Sequence, residues 1–303
     1  MPPRSPAYNR GARRFFYAHI ALPQGISMDM RKGGVKMIKR PEPLRKAESQ
    51  NPARHRRGLT RGTALALAVL LTVGAFYVGV MPQTAAVVAK KRELPVYSVD
   101  RDDGAVAISF DASWGGDKTM KLLDILDEYG VKTTFFLVDI WVKSYPELVK
   151  EIAARGHEIG NHSTTHPHMS QLTAAQITEE LATQAGHVEE LTGTRPTLFR
   201  PPYGDYNDRL VLTARDQGYE VIQWSVDSQD WKNKGVQDVI NRAQKAQSGD
   251  IVLFHNDAEF TVDALPSILS DYAARGLHIV PVSEILLAGE TTIDVQGKQH
   301  AKQ

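Results

Sequence analysis

From about residue 96 onward, apolar residues follow two patterns that alternate along the chain. Short runs rich in valine, isoleucine and phenylalanine are typical of buried strands, and longer stretches with apolar residues at helical spacing are typical of amphipathic helices. In the stretch 117–129, the apolar residues are spaced as on one helix face, and Gly130 ends the pattern. Repeated strand–helix units of this kind predict a parallel sheet.

The pattern extends to about residue 290. The predicted strands are 105–111, 133–138, 157–161, 198–200, 220–225, 251–255 and 278–282. The predicted helices are 117–129, 146–155, 174–192, 207–217, 236–246, 265–274 and 283–287. Roughly seven such units predict an α/β fold, a distorted or incomplete (β/α)7–8 barrel, because the region is short for a complete barrel. A doubly wound open sheet is the alternative, although no glycine-rich phosphate loop favours it.

A different pattern precedes this region. Residues 63–81 carry no charged side chain and approach the length of about 20 residues that a helix needs to span a bilayer. The sequence before this run is basic, which predicts a cytoplasmic N-terminus and an extracytoplasmic C-terminal part. We therefore predict one transmembrane or signal segment, with the protein held in the cell membrane, or secreted if the segment is cleaved. A buried core helix is the alternative.

These patterns divide the chain into five parts. Residues 1–62 form a basic cytoplasmic segment, residues 82–103 a linker, 104–290 one domain, and 291–303 a flexible tail. Within the first part, 1–36 are interpreted as a start-site artefact, with Met37 as the true start. The apolar share of 42% and the charged share of 23% are ordinary for a globular protein, and a net charge of +1 argues against nucleic-acid binding. The absence of cysteine excludes disulfides and thiolate metal sites.

Reactive side chains recur where the predicted strands end. His162 and His166 stand four residues apart, a spacing that lets two imidazoles bind one cation such as Zn²⁺. In a barrel of parallel strands, the carboxyl ends of all strands meet at one mouth. We therefore expect a single site that includes the histidine pair and four further side chains at strand ends: Asp111, Arg200, Asp230 and His255.

The motifs at these strand ends resemble, in order, those of the polysaccharide deacetylases with a NodB homology domain, carbohydrate esterase family 4. They are the segments Ser-Phe-Asp-Ala at 109–112, His-Ser-Thr-Thr-His at 162–166, Arg-Pro-Pro-Tyr-Gly at 200–204, Asp-Ser-Gln-Asp-Trp at 227–231 and Leu-Phe-His at 253–255. The resemblance covers residues 104–287, nearly the whole predicted domain. The sequence around Phe110–Gly115, after a single span, is most similar to the PdaB-like sporulation subgroup.

The resemblance implies a metal-dependent hydrolase that removes N-acetyl groups from cell-wall glycan, either peptidoglycan or its spore-cortex form. The implied metal is divalent, Zn²⁺ first, with Co²⁺, Ni²⁺ or Mn²⁺ as alternatives. The implied roles are Asp111 as general base, His255 as general acid, Arg200 orienting Asp111, Asp230 holding His255, His162 and His166 as metal ligands, the backbone N–H of Tyr203 in the oxyanion site and Trp231 as a wall of the sugar groove. Purely structural roles remain the alternative, such as a helix cap for Asp111 or a core position for Trp231.

One position departs from the family pattern. The second aspartate of the first motif usually binds the metal, and Ala112 stands there. Asp117 or Ser113 could substitute if the loop folds back, whereas His168 is not expected to be a ligand. Asp227 is either a partner of a site residue or a turn residue. Two functions from different classes therefore remain: an active deacetylase, or a catalytically degenerate barrel that binds cell-wall glycan as an assembly factor.

Overall fold

The computed structural model describes residues 61–79 and 92–302. The predicted basic segment 1–62, including the start-site interpretation at Met37, lies outside the described residues apart from Arg61 and Gly62. The same holds for residues 82–91 of the predicted linker and for Gln303. The chain divides into two units, Met1–Val73 and Gly74–Gln303.

The first helix, α1 (Arg61–Gly79), covers most of the predicted membrane segment 63–81. Within the described ranges, no helix is both long enough and apolar enough to cross a membrane. Residues 80 and 81 of the predicted segment lie outside the described residues, and the transmembrane or signal segment stays a prediction.

The main sheet contains eight strands, all paired in parallel. Its strands are β2 (Ala105–Ala112), β3 (Thr134–Leu137), β4 (Glu158–Asn161), β5 (Leu198–Phe199), β6 (Glu220–Val221), β7 (Val226–Asp227), β8 (Ile251–His255) and β9 (His278–Val280). Their order is β6-β5-β4-β3-β2-β8-β7, and β9 also pairs with β2. This curled parallel sheet fits the predicted distorted (β/α) barrel.

The two edge strands of the main sheet, β6 and β7, follow each other directly in the sequence. Strand β6 pairs with β5, and β7 pairs with β8, so the single stretch 220–227 joins both edges of the sheet. The sequence predicts one strand over 220–225. In the structure, this stretch is divided: β6 ends at Val221 at the edge formed with β5, and β7 begins at Val226 at the edge formed with β8. Val96 lies beside the first edge, where its N–H donates to Val221 and its carbonyl accepts from Gln223.

Helices cover the outer face of the sheet. They are α2 (Thr119–Glu128), α3 (Asp139–Ser144), α4 (Pro146–Ala154), α5 (Ala174–Thr192), α6 (Asp208–Asp216), α7 (Val236–Ala243), α8 (Thr261–Ala274) and α9 (Val282–Ile285). Successive side chains of β2 point to opposite faces of the sheet and pack in two apolar layers. The even-numbered residues pack with α2 and α8 in an outer layer, whereas Ala105 and Ala107 pack with Phe136 in an inner layer. Ser109 and Asp111 share the parity of the inner layer, and Ala112 belongs to the outer one.

Helix α5 begins and ends as its sequence predicts. Thr173 and Gln176 form a capping box, in which the Thr173 hydroxyl accepts from the Gln176 N–H and the Gln176 side chain accepts from the Thr173 N–H at 2.9 Å. Gly193 ends the helix in a left-handed conformation with φ of 72°. The helix therefore runs beside the loop that follows β4 in a fixed register.

A second sheet lies outside the predicted domain limits. The strands β1 (Ser98–Val99), β10 (Thr291–Ile293) and β11 (Lys298–Ala301) form it, with β10 and β11 antiparallel and β1 parallel to β11. The segment predicted as a flexible tail is thus a hairpin paired to the segment predicted as a linker. The domain begins before residue 104 and extends past residue 290.

Candidate active site

The chemically reactive residues follow the carboxyl ends of neighbouring parallel strands. Asp111 of β2 and His255 of β8 are register partners. His162 follows β4, with its N–H bonded to the Leu137 carbonyl, and Arg200 follows β5, with its N–H bonded to the Asn161 carbonyl. The ladder of the sheet therefore brings residues far apart in sequence to one rim, as expected for a barrel mouth.

Asp111 and Arg200 form a buried ion pair. The Arg200 Nη1 donates to Asp111 Oδ1 at 2.7 Å, and both side chains are almost completely buried. Burial by itself raises the pKa of Asp111, but the Arg200 guanidinium, then His162 and His255, outweigh it and hold the pKa below its ordinary value. Asp111 is therefore ionised at neutral pH and can accept a proton.

His162 is held as a neutral ring with one lone pair free. Its Nδ1–H donates to the Arg200 carbonyl at 2.7 Å, and its Nε2 faces Asp111 Oδ2 at 3.5 Å. Burial lowers the pKa of His162, which keeps the ring neutral. Since Nδ1 carries the proton, the Nε2 lone pair points into the site, the arrangement that a metal-ligating imidazole uses.

His166 lies beside His162, with ring centroids 5.0 Å apart. Burial first, and then the neighbouring His162, lower the pKa of His166 to about 4, so this ring is also neutral. Its Nδ1 is buried and has no hydrogen-bond partner among the described residues. Two neutral imidazoles, one with an orphaned nitrogen, fit the ligation of a divalent cation.

The histidine pair is not joined by a carboxylate ligand. No group of three or more histidine, aspartate, glutamate or cysteine side chains in the described ranges is arranged to hold a metal ion. Ala112 is fully buried in the outer apolar layer with Phe110 and Trp141. Asp117 is exposed, while Ser113 lines the cavity above Asp111. Among the side chains that line the cavity, His162 and His166 are thus the two neutral imidazoles.

His255 and Asp230 form a second pair. Asp230 is fully buried and accepts four hydrogen bonds: from His255 Nδ1 at 2.7 Å, the His255 N–H at 2.8 Å, the Trp231 N–H at 2.9 Å and Thr261 Oγ1 at 2.7 Å. Burial lowers the pKa of His255, but the hydrogen bond and charge of Asp230, with Asp111, raise it above the ordinary value. Asp230 therefore favours the protonated ring and fixes its orientation, with the other ring nitrogen available to the cavity.

A cavity of about 520 Å³ connects these groups. Asp111, His162, His166 and His255 line it together with a set of aromatic side chains, which are Trp114, Tyr203, Trp224 and Trp231. Trp114, Tyr203 and Trp231 are 67%, 59% and 55% exposed, far above the values of core aromatics. Such exposed rings around a polar cavity are typical of ligand contact surfaces.

The loops around this mouth are conformationally strained. Five non-glycine residues of the described ranges have positive φ: Ser163, His166, Tyr203, Gln229 and Asn233. All five lie in the three loops that carry the histidine pair, Tyr203 and the segment around Asp230. Left-handed backbone at non-glycine residues costs on the order of 1–3 kcal/mol each, and such strain clusters at functional sites.

Of the two remaining candidates from the sequence, Asp227 lines the cavity and His168 does not. Asp227 also accepts from the Gln229 N–H at 2.8 Å, so this residue shapes the turn before Asp230. His168 faces Asp205 at 3.3 Å and stacks on Tyr203, outside the cavity lining. Sequence reasoning gave no role to Trp114, although an aromatic residue in the loop directly after Asp111 was a usable signal.

Comparisons with known proteins point to one family. Residues 98–222 match the family model for polysaccharide deacetylases. A peptidoglycan-N-acetylglucosamine deacetylase from Bacillus cereus is 37% identical over 196 residues, covering 63% of this chain and 92% of the relative. A carbohydrate esterase family 4 pseudoenzyme from Bacillus anthracis is similar in structure, with a TM-score of 0.61 and 31% identity over 63% of this chain and 68% of that one. A mutant of that pseudoenzyme, described as having restored enzymatic activity, has a TM-score of 0.61 and 32% identity over 63% of this chain and 70% of its own.

Proposed function

Since the chain belongs to the polysaccharide deacetylase family, we propose that it hydrolyses N-acetyl groups of cell-wall glycan, peptidoglycan in particular. The observation that carries this proposal is a pair of contacts at one cavity, Arg200 with Asp111 and Asp230 with His255, each at 2.7 Å. Arg200 lowers the pKa of Asp111 and favours the carboxylate, and Asp230 raises the pKa of His255 and favours the charged ring. An amide hydrolase needs one group that takes a proton and one that gives a proton.

Asp111 is the proposed general base. It takes a proton from a water molecule in the cavity while the oxygen of that water attacks the acetyl carbon. Arg200 keeps the carboxylate in place and prevents it from rotating away, because its own guanidinium is clamped between Asp111, the Gln223 carbonyl at 3.2 Å and the face of Phe136. Arg200 thus acts as an orienting residue.

His255 is the proposed general acid. As the carbon–nitrogen bond breaks, the ring nitrogen that faces the cavity gives its proton to the leaving amine, and acetate and a free amine result. Asp230 accepts from the opposite nitrogen and stabilises the charged ring. The proposed oxyanion donor is the backbone N–H of Tyr203.

His162 and His166 are the residues proposed to hold a divalent metal, Zn²⁺ first. When bound, such an ion polarises the acetyl carbonyl and lowers the pKa of a water molecule. The chain's own contribution is two neutral imidazoles with fixed orientation, His162 through the Arg200 carbonyl and His166 through the loop that carries it.

The exposed rings at the mouth are proposed to bind the sugar. Trp231 and Trp114 present apolar faces on which a pyranose can stack, and Trp231 also lines a second cavity of about 430 Å³ next to the first. The glycan that we propose as substrate lies outside the cytoplasmic membrane, where we expect the domain to act.

A second candidate function is supported by Ala112. The alanine removes the carboxylate that family members use at this position, and a site with two protein ligands binds metal more weakly. A pseudoenzyme among the similar structures makes loss of activity a known outcome within the fold. In that case the cavity and its aromatic rim bind cell-wall glycan without hydrolysis.

Acetate release distinguishes the two functions. The full-length chain is incubated with N-acetylated peptidoglycan and with N-acetylglucosamine oligomers, with Zn²⁺, Co²⁺, Ni²⁺ or Mn²⁺ added in turn. We expect acetate that disappears in the Asp111→Asn and His255→Ala variants. Binding to the glycan without acetate under any metal contradicts the deacetylase proposal and supports the binding protein.

A further inference from the structure

The loop between the two histidines has its backbone N–H groups bonded to side chains. Four consecutive N–H groups, those of residues 163 to 166, donate to side-chain oxygens. Asn161 Oδ1 accepts from Ser163 at 2.8 Å, and Ser163 Oγ accepts from His166 at 3.0 Å. The other two donate to one residue of helix α5, Glu180.

Glu180 makes four hydrogen bonds to this loop. Its Oε2 accepts from the N–H groups of Thr164 and Thr165, both at 2.8 Å. Its Oε1 accepts from the Thr165 hydroxyl at 2.7 Å, and its main-chain carbonyl accepts from the Thr164 hydroxyl at 2.7 Å. Hydrogen bonds to an ionised acceptor are roughly twice as strong as neutral ones.

Helix α3 holds the opposite side of the same loop. The N–H groups of Asp139 and Ile140 donate to the Ser163 and Thr164 carbonyls at 3.1 and 3.3 Å. The loop therefore lies between two helices, one supplying donors and the other, through Glu180, supplying acceptors. On the α5 side, the Glu180 carboxylate is the acceptor for both loop N–H groups, those of Thr164 and Thr165.

These hydrogen bonds hold a loop whose backbone conformation is strained at two residues. Ser163 and His166 have φ values of 71° and 57°, which side chains with a Cβ rarely adopt. Released from its acceptors, the loop is expected to relax toward negative φ at both positions. Relaxation at His166 moves its ring relative to His162, whose own backbone is fixed by β3 through the Leu137 carbonyl.

We propose that Glu180 is a positioning residue that sets the distance and angle between His162 and His166 by holding the loop between them. The link to metal binding rests on the proposed function, whereas the effect on loop conformation does not. Glu180 does not line the cavity, and within the described ranges its side chain forms hydrogen bonds only with Thr164 and Thr165, so it acts through the loop.

The test compares three variants of the full-length chain. Glu180→Ala removes the acceptors, Glu180→Gln keeps one oxygen for the two N–H groups, and Glu179→Ala removes the same charge from the next residue. Glu179 is a matched control because, like Glu180, it lines a separate cavity of about 420 Å³ beside Thr164 and Thr165, but its side chain forms no hydrogen bond or ion pair within the described ranges. Zn²⁺ and Co²⁺ affinities, the absorption spectrum of bound Co²⁺, melting temperatures and amide hydrogen exchange are measured.

We expect Glu180→Ala to weaken metal binding about 10–100-fold, the usual effect of removing a group that orients metal ligands. Glu180→Gln should lose less, because its neutral oxygen still accepts from the two N–H groups, but it should bind metal measurably more weakly than the original chain, and Glu179→Ala should bind metal like the original chain. The Co²⁺ spectrum should change in Glu180→Ala at saturating metal, because the angle between the two imidazoles changes. A loss of global stability alone does not alter the spectrum of the folded, loaded protein.

Equal affinity and an unchanged Co²⁺ spectrum in Glu180→Ala overturn the proposal, as does an equal loss in Glu179→Ala. If Glu180→Ala does not fold, Glu180→Gln decides: a weaker affinity at an unchanged melting temperature supports the proposal, and an unchanged affinity contradicts it. If the original chain binds no divalent metal, the metal part of the proposed function fails. Faster exchange of the Thr164 and Thr165 amides in Glu180→Ala then still supports the role of Glu180 in holding the loop, and unchanged exchange refutes it.

Discussion

At the scale of single residues, two buried carboxylates at the mouth pair with cations of different kinds. Asp111 faces a permanent cation, so the pair keeps the carboxylate charged. Asp230 faces an imidazole, so the pair keeps the ring protonated. Because Asp111 and His255 are register partners on β2 and β8, the proposed base and the proposed acid stand on adjacent strands and line the same cavity.

Replacing Asp230 tests how the acid is tuned. In Asp230→Asn, the pKa of His255 should fall, because the hydrogen bond and charge that raise it are weakened. The acid form, needed for activity, is lost as pH rises through the pKa of His255, so the basic limb of the pH–rate profile should move to lower pH. The rate at neutral pH should fall by about 10²–10⁴-fold, the contribution of general acid catalysis. A basic limb that stays in place contradicts the role of Asp230.

Ala112→Asp tests the missing ligand. The alanine is the last residue of β2 and packs in the outer apolar layer, while the next residue, Ser113, lines the cavity, so a carboxylate at 112 has to turn around the strand end to reach the histidine pair. We expect metal affinity to rise at least about tenfold, since a charged third ligand is added. Isothermal titration with Zn²⁺ measures the change.

The same variant should be less stable without metal. An aspartate at 112 starts in the outer apolar layer, where an unsatisfied polar group costs about 1–3 kcal/mol or more. Added metal should recover that loss, and Ala112→Asn serves as the neutral control of similar shape. An affinity equal to that of the original chain in Ala112→Asp contradicts the assignment of His162 and His166 as ligands.

Residue type and position sufficed to predict where the polar side chains of the mouth lie, while their chemical roles stay predictions. Parallel pairing brings the carboxyl ends of all strands to one rim, so residues at those positions come together there. They are Asp111, Arg200, Asp230 and His255. Trp114 and Glu180 were not predicted. Their roles depend on loop conformation and on helix register across the site, and neither is encoded in the local sequence pattern.

At the scale of elements, the C-terminal hairpin is held to β1 by charge as well as by strand pairing. His300 contacts Asp100 through Nδ1 and Asp294 through Nε2, both at 3.1 Å, and Lys298 also contacts Asp100 at 3.1 Å. An imidazole donates from both nitrogens only when it is protonated. Hydrogen bonds to Asp294 and then Asp100 accordingly raise the pKa of His300.

The hairpin should therefore contribute more to stability in acid. A raised pKa in the folded state means that the stabilisation is complete below the ordinary histidine pKa of about 6.5 and is lost as pH rises through the folded value. The melting temperature of His300→Gln, compared with the original chain, should be lower at about pH 5.5 and similar at about pH 9. A difference that is the same at both pH values rules out this ion pairing.

Elements differed in how well their limits were predicted. Helix α5 has a capping box at one end and a glycine at the other, so local chemistry fixes its bounds. The stretch 220–227 has no such signals, and tertiary pairing divides it between β6 and β7. The hairpin was missed because its pairing partner, β1, lies almost the whole domain away in sequence.

At the scale of the whole molecule, Arg200 joins the chemistry of the mouth to the stability of the fold. It is fully buried and contacts Asp111 of β2, Phe136 of β3 and the Gln223 carbonyl beyond β6. Its Nε has no partner among the described residues, so its charge is balanced chiefly by Asp111. The same contact that keeps the base ionised therefore also keeps a buried charge neutralised.

Arg200→Met should lower the free energy of unfolding by about 3–5 kcal/mol at neutral pH, because it leaves Asp111 buried without its cation. The loss should shrink as pH falls and Asp111 becomes protonated. The double variant Arg200→Met with Asp111→Asn should be more stable than the single one. Denaturant unfolding at neutral and acidic pH measures all three, and a loss that is independent of pH contradicts the role of the ion pair.

The position of β2 also governs when the domain can fold. This strand lies inside the sheet, yet its partners β8 and β9 come near the end of the domain; Ser109 donates to the Val252 carbonyl across a separation of 143 residues. While the chain emerges from the ribosome, its first long strand has no partner on that side until nearly everything else has been synthesised. Folding is thus expected to be slow and largely post-translational, and a chain terminated before Ile251 should leave no stable fragment.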